Sequence, residues 1–484
     1  MTMTTTSRRS FLKLGLAATA GGVGLAQAKP VFEPASFDKE TDVVIIGTGA
    51  AGSSAAARCS QLGLKVIVLE KMPVGGGSSV LCNGGFAVCC TDVQERKRIK
   101  DSPELFEKEL LTMGKVNDPE LVHTFVTASL PTYKWMRGLG VEVNDVTTGA
   151  GMSVPRQHMT RPPQMLGIFR EITEKAGGQY LFKTAARRLI VNEEGRVTGV
   201  EAESRGKKLS IRARRGVVIA AGGWARSEDL LRRFSPAAEK ALKLGGIGNS
   251  GDGSKMAWAL GADLLDVSYT KATYGFNPKT KTSAFVMYNG AMMVNLNGER
   301  YADESRPYKE LGDMTLAQPE GIGVQIYDAA IHEEAQKDPL ARTDTLKKNG
   351  ELYSADTIEG LAKAMGLPAD KLAATVRAYN EGLAKGADAF GRTSLSAGNG
   401  KPAPIVKAPF YGFRATAVLL STYCGPKIDS QARVINIFGE PIEGLWAAGE
   451  GTGGLHGAAY MSGTSVGKAV VFGKIAAESI AGKQ

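Results

Sequence analysis

The sequence predicts an α/β fold, and three stretches carry that prediction: Asp42–Gly77, Gly216–Gly223 and Gly444–Ile480. In the first, the apolar run Val43–Ile46 feeds Gly47-x-Gly49-x-x-Gly52, a helix of small residues, and a second run, Lys65–Leu69, ending at Glu70. In the second, GVVIAAGG is a continuous apolar strand closed by glycines, as in a sheet covered on both faces. In the third, a strand reaches the glycine turn at Gly449, and Thr464–Ile480 reads as the closing helix.

The chain begins with an address. Ser7-Arg8-Arg9-Ser10-Phe11-Leu12-Lys13 is a twin-arginine pattern, followed by an apolar Gly/Ala run and the small-x-small site Ala26-Gln27-Ala28. It predicts a signal over residues 1–28, passage of the folded protein through the twin-arginine (Tat) translocase, and a mature periplasmic protein starting near Lys29. The run is too short to read as a membrane span. Residues 29–40 read as a loose leader.

Residues 41–240 read as the first part of a nucleotide-binding domain. Gly47 permits the tight turn, Gly49 lets a pyrophosphate approach the backbone, and Gly52 lets helix and strand pack closely. Ala50 and Ala51 open the helix, whose N-terminus faces the phosphates, and Glu70 stands where it can accept ribose hydroxyls. This motif alone does not separate NAD from FAD. Lys71 and the turn Gly75-Gly76-Gly77-Ser78-Ser79, with Asn83, Gly84 and Gly85 beyond it, suit a second pass by pyrophosphate and flavin, and so favour FAD. Further along, Gln179–Glu203 alternates apolar and polar residues about Glu194-Gly195 and predicts a hairpin. Ala221 and Gly222, at the end of the buried strand, return to the cofactor.

Residues 241–405 have another texture and predict an inserted α+β cap. Gly251-Asp252-Gly253 precedes an amphipathic helix, a strand pair is expected around Tyr288–Leu296, and a charged helical stretch runs from about 326 to 389. The linker Ala397–Pro404 then leads back, and residues 406–484 complete the first domain.

The 484 residues suffice for two domains, and 60 glycines suit a backbone that lies close to a cofactor at many points. A formal charge of +10 gives a basic surface, but no basic run is interleaved with aromatics, so nucleic acid is not the expected partner. Such a surface can dock an acidic redox protein or attract an anionic substrate. The five cysteines include no C-x-x-C-H haem site and no metal-ligand spacing. Cys82 and Cys89 follow the glycine turn at a spacing too long for the usual redox pair, and read as spectators.

With these pieces in place, the mature chain resembles the fumarate reductase/succinate dehydrogenase flavoprotein superfamily along nearly its whole length. The set of motifs is the N-terminal fingerprint, Arg161-Pro162, Gly251-Asp252-Gly253, Gly298-Glu299-Arg300-Tyr301-Ala302-Asp303-Glu304, and Gly449-Glu450-Gly451-Thr452-Gly453-Gly454-Leu455-His456-Gly457. The resemblance implies FAD in a Rossmann-like domain under a mobile cap. Gly47, Gly49, Gly52 and Glu70 would hold the adenosine half; Gly76, Gly77, Ser78 and Ser79 would follow the pyrophosphate and flavin. Glu450 would bind ribityl or pyrophosphate-side groups, and Gly463, Ser465 and Val466 would cover the isoalloxazine edge. Covalent members use a histidine after the glycine turn; none stands here, so FAD is expected to be non-covalent.

The departures carry more. The histidine and arginine segments that clamp two carboxylates in fumarate reductases read here as Asp266–Thr270, Ser421–Gly425 and His456–Tyr460, without those groups. The proton-donating arginine, four residues past the glutamate, is replaced by Tyr308. A dicarboxylate site without its cations is physically implausible. Tyr308, with Tyr460-Met461-Ser462-Gly463, is instead similar to the active-site pattern of 3-ketosteroid dehydrogenases, the Δ4 type especially. Arg161-Pro162 and the export signal lean toward respiratory reductases.

The implied reaction moves a hydride between flavin N5 and the carbon β to a carbonyl, with a proton at the neighbouring carbon. It requires an acid/base and a donor to the carbonyl oxygen. Tyr308 is the expected proton-transfer residue; Arg306 is its rival if the register slips by two. A free tyrosine titrates near about 10 and donates readily. Tyr460, with Ser462 or the backbone N–H groups near Gly463–Thr464, would polarise the carbonyl. Arg161 would bind a single carboxylate or serve as an ion-pair partner. The sequence thus predicts a periplasmic reductase of carbonyl-activated C=C bonds, other than fumarate itself, fed by a separate cytochrome c or quinol-linked donor. A 3-ketosteroid (Δ4- or Δ1-type) dehydrogenase and a non-catalytic flavin electron carrier are the alternatives.

Overall fold

The computed structural model describes residues 31–396 and 398–483; the segment expected to be an export signal and its cleavage site lies outside them. β1 (Lys39–Ile46), α1 (Ala50–Gln61) and β2 (Val66–Glu70) form the βαβ unit. The two strands pair in parallel, Val43 with Val66 through Ile46 with Leu69, and all eight side chains are buried. Their apolar runs do not alternate because both faces of the sheet are covered. Of the ten buried positions of α1, eight are alanine or serine and one is Gly52, so another helix can approach its backbone closely.

β3 (Gln179–Phe182), β4 (Thr184–Val191), β5 (Val197–Ser204) and β6 (Lys207–Ile219) follow. β4 and β5 make the predicted hairpin, but Gln179–Phe182 does not belong to it. β3 pairs in parallel with β2 and closes the opposite edge of the same sheet. Lys183, with φ 53°, turns the chain between β3 and β4. Period-two alternation is common to both strands, so the pattern did not register that break. β6 pairs antiparallel with β5 through its first half; its second half, Gly216–Ile219, lies parallel to β1.

The inserted part contains α2 (Asp252–Trp258), β7 (Thr270–Phe276), β8 (Met292–Asn295), α3 (Tyr308–Leu316) and β9 (Ile322–Tyr327), then α4 (Ile358–Met365), α5 (Ala369–Ala384) and β10 (Phe410–Thr422). The expected strand pair near Tyr288–Leu296 is a single strand, β8, whose partner is the distant β9; Val286–Asn289 is a 3-10 turn. The stretch 326–389 is mainly helical but starts in β9 and holds a short strand, Tyr353–Ala355. β10 pairs with β7, β9 and that short strand, so this chain segment beyond residue 405 is built into the cap sheet. The linker residues 398–404 before it form a mostly exposed loop, and the crossing back comes only after Thr422. A buried ion cluster, Glu304 with Arg300 and Arg392, sits beside the cap's apolar core.

β11 (Pro441–Ala447) lies parallel to the second half of β6, and α6 (Thr464–Ile480) spans the residues predicted for the closing helix. α6 packs on α1 so closely that a Cβ at Gly473 would stand 2.4 Å from Ala51 O. Among the described residues, no helix is long and apolar enough to cross a membrane.

Candidate active site

A cavity of about 570 Å³ starts at the glycine turn after β1 and ends against the cap. The turn is shaped by contact. A Cβ on Gly52 would stand 2.0 Å from Gly47 O, whereas one on Gly49 would meet nothing nearer than Ser79 Oγ at 3.5 Å. The first glycine–backbone approach is therefore closed and the second is left open toward the cavity. Ala50 N–H donates to Ser79 Oγ at 2.9 Å, which ties the start of α1 to the second glycine-rich turn. Glu70 is fixed at the far rim, accepting from Thr48 Oγ1 at 2.5 Å and Met72 N–H at 2.8 Å.

Gly47, Gly49, Ala50, Ala51, Glu70, Lys71, Gly77, Ser78, Ser79, Asn83, Gly85, Ala221, Gly222, Asp252, Glu450, Gly463, Ser465 and Val466 line the cavity. Gly52, Gly76, Gly84 and Gly449 stand behind the lining and set its backbone. Lys71 and Asp252, both expected to touch the cofactor, pair with each other at 2.7 Å. The sequence reading missed the loop Leu244–Asn249. Gly246 N–H and Asn249 Nδ2 donate to Ser78 Oγ, and Asn249 Nδ2 also donates to Glu450 Oε1 at 2.7 Å. Glu450 is enclosed by protein except where it faces the cavity, and burial raises its carboxyl pKa.

At the cap end, Tyr308 opens α3, Tyr460 and Ser462 come from the segment before α6, and Lys271 comes from β7. Tyr460 Oη accepts from Gly463 N–H at 3.0 Å, and Ser462 Oγ accepts from Ala150 N–H at 3.0 Å. Each hydroxyl keeps its own proton to give to a ligand. The backbone N–H groups of Gly463 and Thr464, read as carbonyl donors, are already spent on Tyr460 Oη and Met461 O.

His456 lies T-shaped against Tyr423 and Tyr460. Thr464 O–H donates to Met461 O, so His456 Nε2–H donates to Thr464 Oγ1 at 3.0 Å; that assigns the tautomer. Burial, then Lys468 and Lys271, hold His456 well below its usual pKa, and it is neutral. Lys468, on α6, is pushed down to about 8 by burial and donates to Thr452 O at 2.6 Å.

Two predicted residues are elsewhere. Arg161 precedes the helix Pro162–Lys175 without a side-chain capping bond and pairs with Glu142 at 3.4 Å; it is exposed and does not line the cavity. Arg306 pairs with Glu310 on the exposed side of α3, two residues from Tyr308 but off the cavity. One turn of a helix start points neighbouring side chains in different directions, which residue counting does not resolve. The five thiols are free, so Cys82 and Cys89 form no disulfide.

A βαβ unit with an open glycine turn, a fixed carboxylate at one end of the cavity and tyrosine and serine hydroxyls at the other defines a flavin-dependent oxidoreductase. The family described as FAD binding domain matches residues 42–466, and this chain belongs to it. A protein named probable fumarate reductase Ifc3, from Shewanella frigidimarina (strain NCIMB 400), is 30% identical over 452 residues, covering 91% of this chain and 75% of its own length. The structure of the open conformation of a flavocytochrome c3 fumarate reductase matches 93% of this chain and 79% of its own, at 29% identity and TM-score 0.78. The 3-ketosteroid-Δ4-(5α)-dehydrogenase of Rhodococcus jostii RHA1 matches 94% and 100%, at 27% identity and TM-score 0.77. The chain is an FAD-dependent oxidoreductase acting on C=C bonds.

The fit of FAD rests on the turn. Substituting Gly52 by Ala places its Cβ against Gly47 O and pushes α1 away from the phosphate path. Gly52→Ala is expected to purify with at most a tenth of the wild-type flavin-to-protein absorbance ratio.

Proposed function

We propose that this protein reduces a C=C bond conjugated to a carbonyl, in the periplasm, using non-covalent FAD and electrons from a separate cytochrome c or quinol-linked donor. The observation that carries the reading is that Tyr308, Tyr460 and Ser462 converge at one end of the cavity whose other end is the dinucleotide turn. FAD, when bound, supplies the two-electron reduction through hydride transfer from N5. Tyr308 Oη–H gives a proton to the carbon beside the carbonyl, and Tyr460 and Ser462 donate to the carbonyl oxygen as charge develops there. Gly47, Gly49, Glu70, Ser78 and Glu450 hold and orient the cofactor. No arginine is among the residues that line the cavity, which weighs against fumarate. The periplasmic assignment rests on Arg8-Arg9 and Ala26-Gln27-Ala28, outside the described residues. The basic surface, which persists without Arg8, Arg9 and Lys13, suits docking to an acidic donor.

A 3-ketosteroid dehydrogenase is the second reading, supported by the tyrosine–serine pattern and the likeness to the Rhodococcus enzyme. The test is anaerobic reoxidation of reduced viologen by the purified protein, with unsaturated acids (urocanate, cinnamates, acrylates, fumarate) and cyclic enones including steroids. Turnover of the acids other than fumarate supports the proposal. Turnover confined to the enones selects the second reading. Turnover of none leaves a flavin electron carrier.

A further inference from the structure

Three lysines line the cavity: Lys71, Lys271 and Lys468. Lys71 is neutralised by Asp252 at 2.7 Å, and Lys468 is held by Thr452 O at 2.6 Å with Asp266 acting on it. Lys271 differs. Among the described residues, no carboxylate lies within ion-pair reach of its Nζ and no acceptor holds it by a hydrogen bond. Its Nζ stands instead 3.7 Å from the centroid of the Tyr460 ring.

The position of this ammonium is built by strand register. Thr270 pairs with Thr422 and Ala272 with Leu419, so two residues of β10, Leu420 and Ser421, oppose the single residue Lys271. A bulge of this kind kinks a strand and re-aims side chains, and it is a recurrent device beside active sites. Lys271, Leu420, Ser421 and Thr422 all line the cavity at its cap end, with Tyr308, Tyr460 and Ser462. The half-buried cation therefore lies at the reacting end of the pocket, over an aromatic face, with a neutral imidazole nearby. A charge removed from water without a counter-ion is costly, and an incoming carboxylate relieves that cost.

We infer that Lys271 is the seat of a single substrate carboxylate, and that the substrate is an α,β-unsaturated monocarboxylate with an apolar or aromatic remainder. This rests on the proposed reductase function and names its substrate class. Lys271 is the one cavity lysine left unpartnered, so a dicarboxylate finds no second cation of this kind. An uncharged enone leaves the ammonium without an anion. The rings of Tyr308 and Tyr460 and the Leu420 side chain supply the apolar wall. At the seat, Lys271 binds the carboxylate and stabilises the charge that grows on its oxygens during reduction.

The test uses the FAD-loaded oxidised protein and calorimetric binding of two probes of the same shape, 3-phenylpropanoate and 3-phenylpropanamide. Wild type is expected to bind the acid at least tenfold more tightly than the amide. Lys271→Met is expected to weaken the acid roughly 10- to 100-fold, the worth of one charge-assisted hydrogen bond. The amide is expected to stay within about twofold, and Lys271→Arg to keep the preference for the acid. Equal flavin content in the variants shows that the fold is retained. Unchanged acid binding in Lys271→Met, or a wild type that prefers the amide or binds neither probe, overturns the assignment. Turnover separates the two ideas. Loss of acid binding in Lys271→Met, with no reduction of any unsaturated acid by wild type, keeps the seat and removes the reductase. Reduction of unsaturated acids with KM unchanged by Lys271→Met keeps the reductase and removes the seat.

Discussion

Replacing Tyr308 by Phe is expected to lower kcat by about 10²–10⁴-fold on every substrate the wild type reduces, the usual range for a lost general acid. The change removes one oxygen and keeps the ring. Tyr308 is half-buried at the first position of α3, and among the described residues its hydroxyl has no hydrogen-bond partner in the protein. Nothing in the fold depends on that O–H. The flavin-to-protein ratio and the unfolding temperature of the variant are therefore expected to match wild type, and KM to move by less than about threefold. Arg306→Ala serves as the comparison. Arg306 is exposed, and its ion pair with Glu310 is of a kind worth little, so kcat is expected to stay within about twofold. Single-turnover reoxidation of the photoreduced flavin reads the chemical step directly. If Arg306→Ala is the inactive variant and Tyr308→Phe the active one, the proton comes from the arginine.

The contrast between those two neighbours shows what was legible in the sequence. The βαβ unit was readable because its requirements are local: a tight turn at Gly47 and a contact between Gly52 and Gly47 O leave few residue choices. α6 was readable for a similar reason, a mostly apolar helix after a glycine turn. Tyr308, Tyr460 and Ser462 entered through a family pattern and meet in one cavity. What escaped depends on distant pairing. The place of β3 is decided by Ile67–Leu69 more than a hundred residues earlier, and its alternation resembles that of the hairpin beside it. Lys271 reaches the cavity through a bulge formed with a strand about 150 residues away, and a lysine in an alternating strand otherwise reads as solvated surface. Asn249 carries no motif at all, and its role appears only where the loop meets Ser78 and Glu450. Arg161 misled because a helix start beside a proline looks the same whether it faces a ligand or solvent.

Substituting Glu304 by Ala is expected to be the most damaging single change to the cap. The carboxylate is fully buried and accepts from Arg300 Nε at 2.9 Å, Arg300 Nη2 at 2.7 Å and Met293 N–H at 2.9 Å, with Arg392 Nη1 at 3.2 Å. Removing it leaves two guanidinium groups in the cap core with Asp388, on Arg300, as the remaining carboxylate. Arg392 keeps neutral acceptors, the carbonyls of Met287, Ala291 and Ser394 and Tyr379 Oη, which do not balance its charge. Breaking a buried pair in this way costs about 3–5 kcal/mol, because the surviving charge is uncompensated. Met293 N–H also loses its acceptor at the edge of β8, a further cost of about 1–3 kcal/mol. Glu304 stands four residues before Tyr308, so loosening the cluster frees the segment that carries Tyr308 into the cavity. The conserved shape in Glu304→Gln retains an acceptor for Met293 N–H, and its loss of stability is expected to be smaller than that of Glu304→Ala. The glycine turn and Glu70 line the cavity at its opposite end, so flavin is expected to remain bound at low temperature while activity falls. Denaturant titration followed by circular dichroism, beside flavin fluorescence, measures both. A Glu304→Ala protein with wild-type stability would mean that the cap core does not depend on this ion cluster.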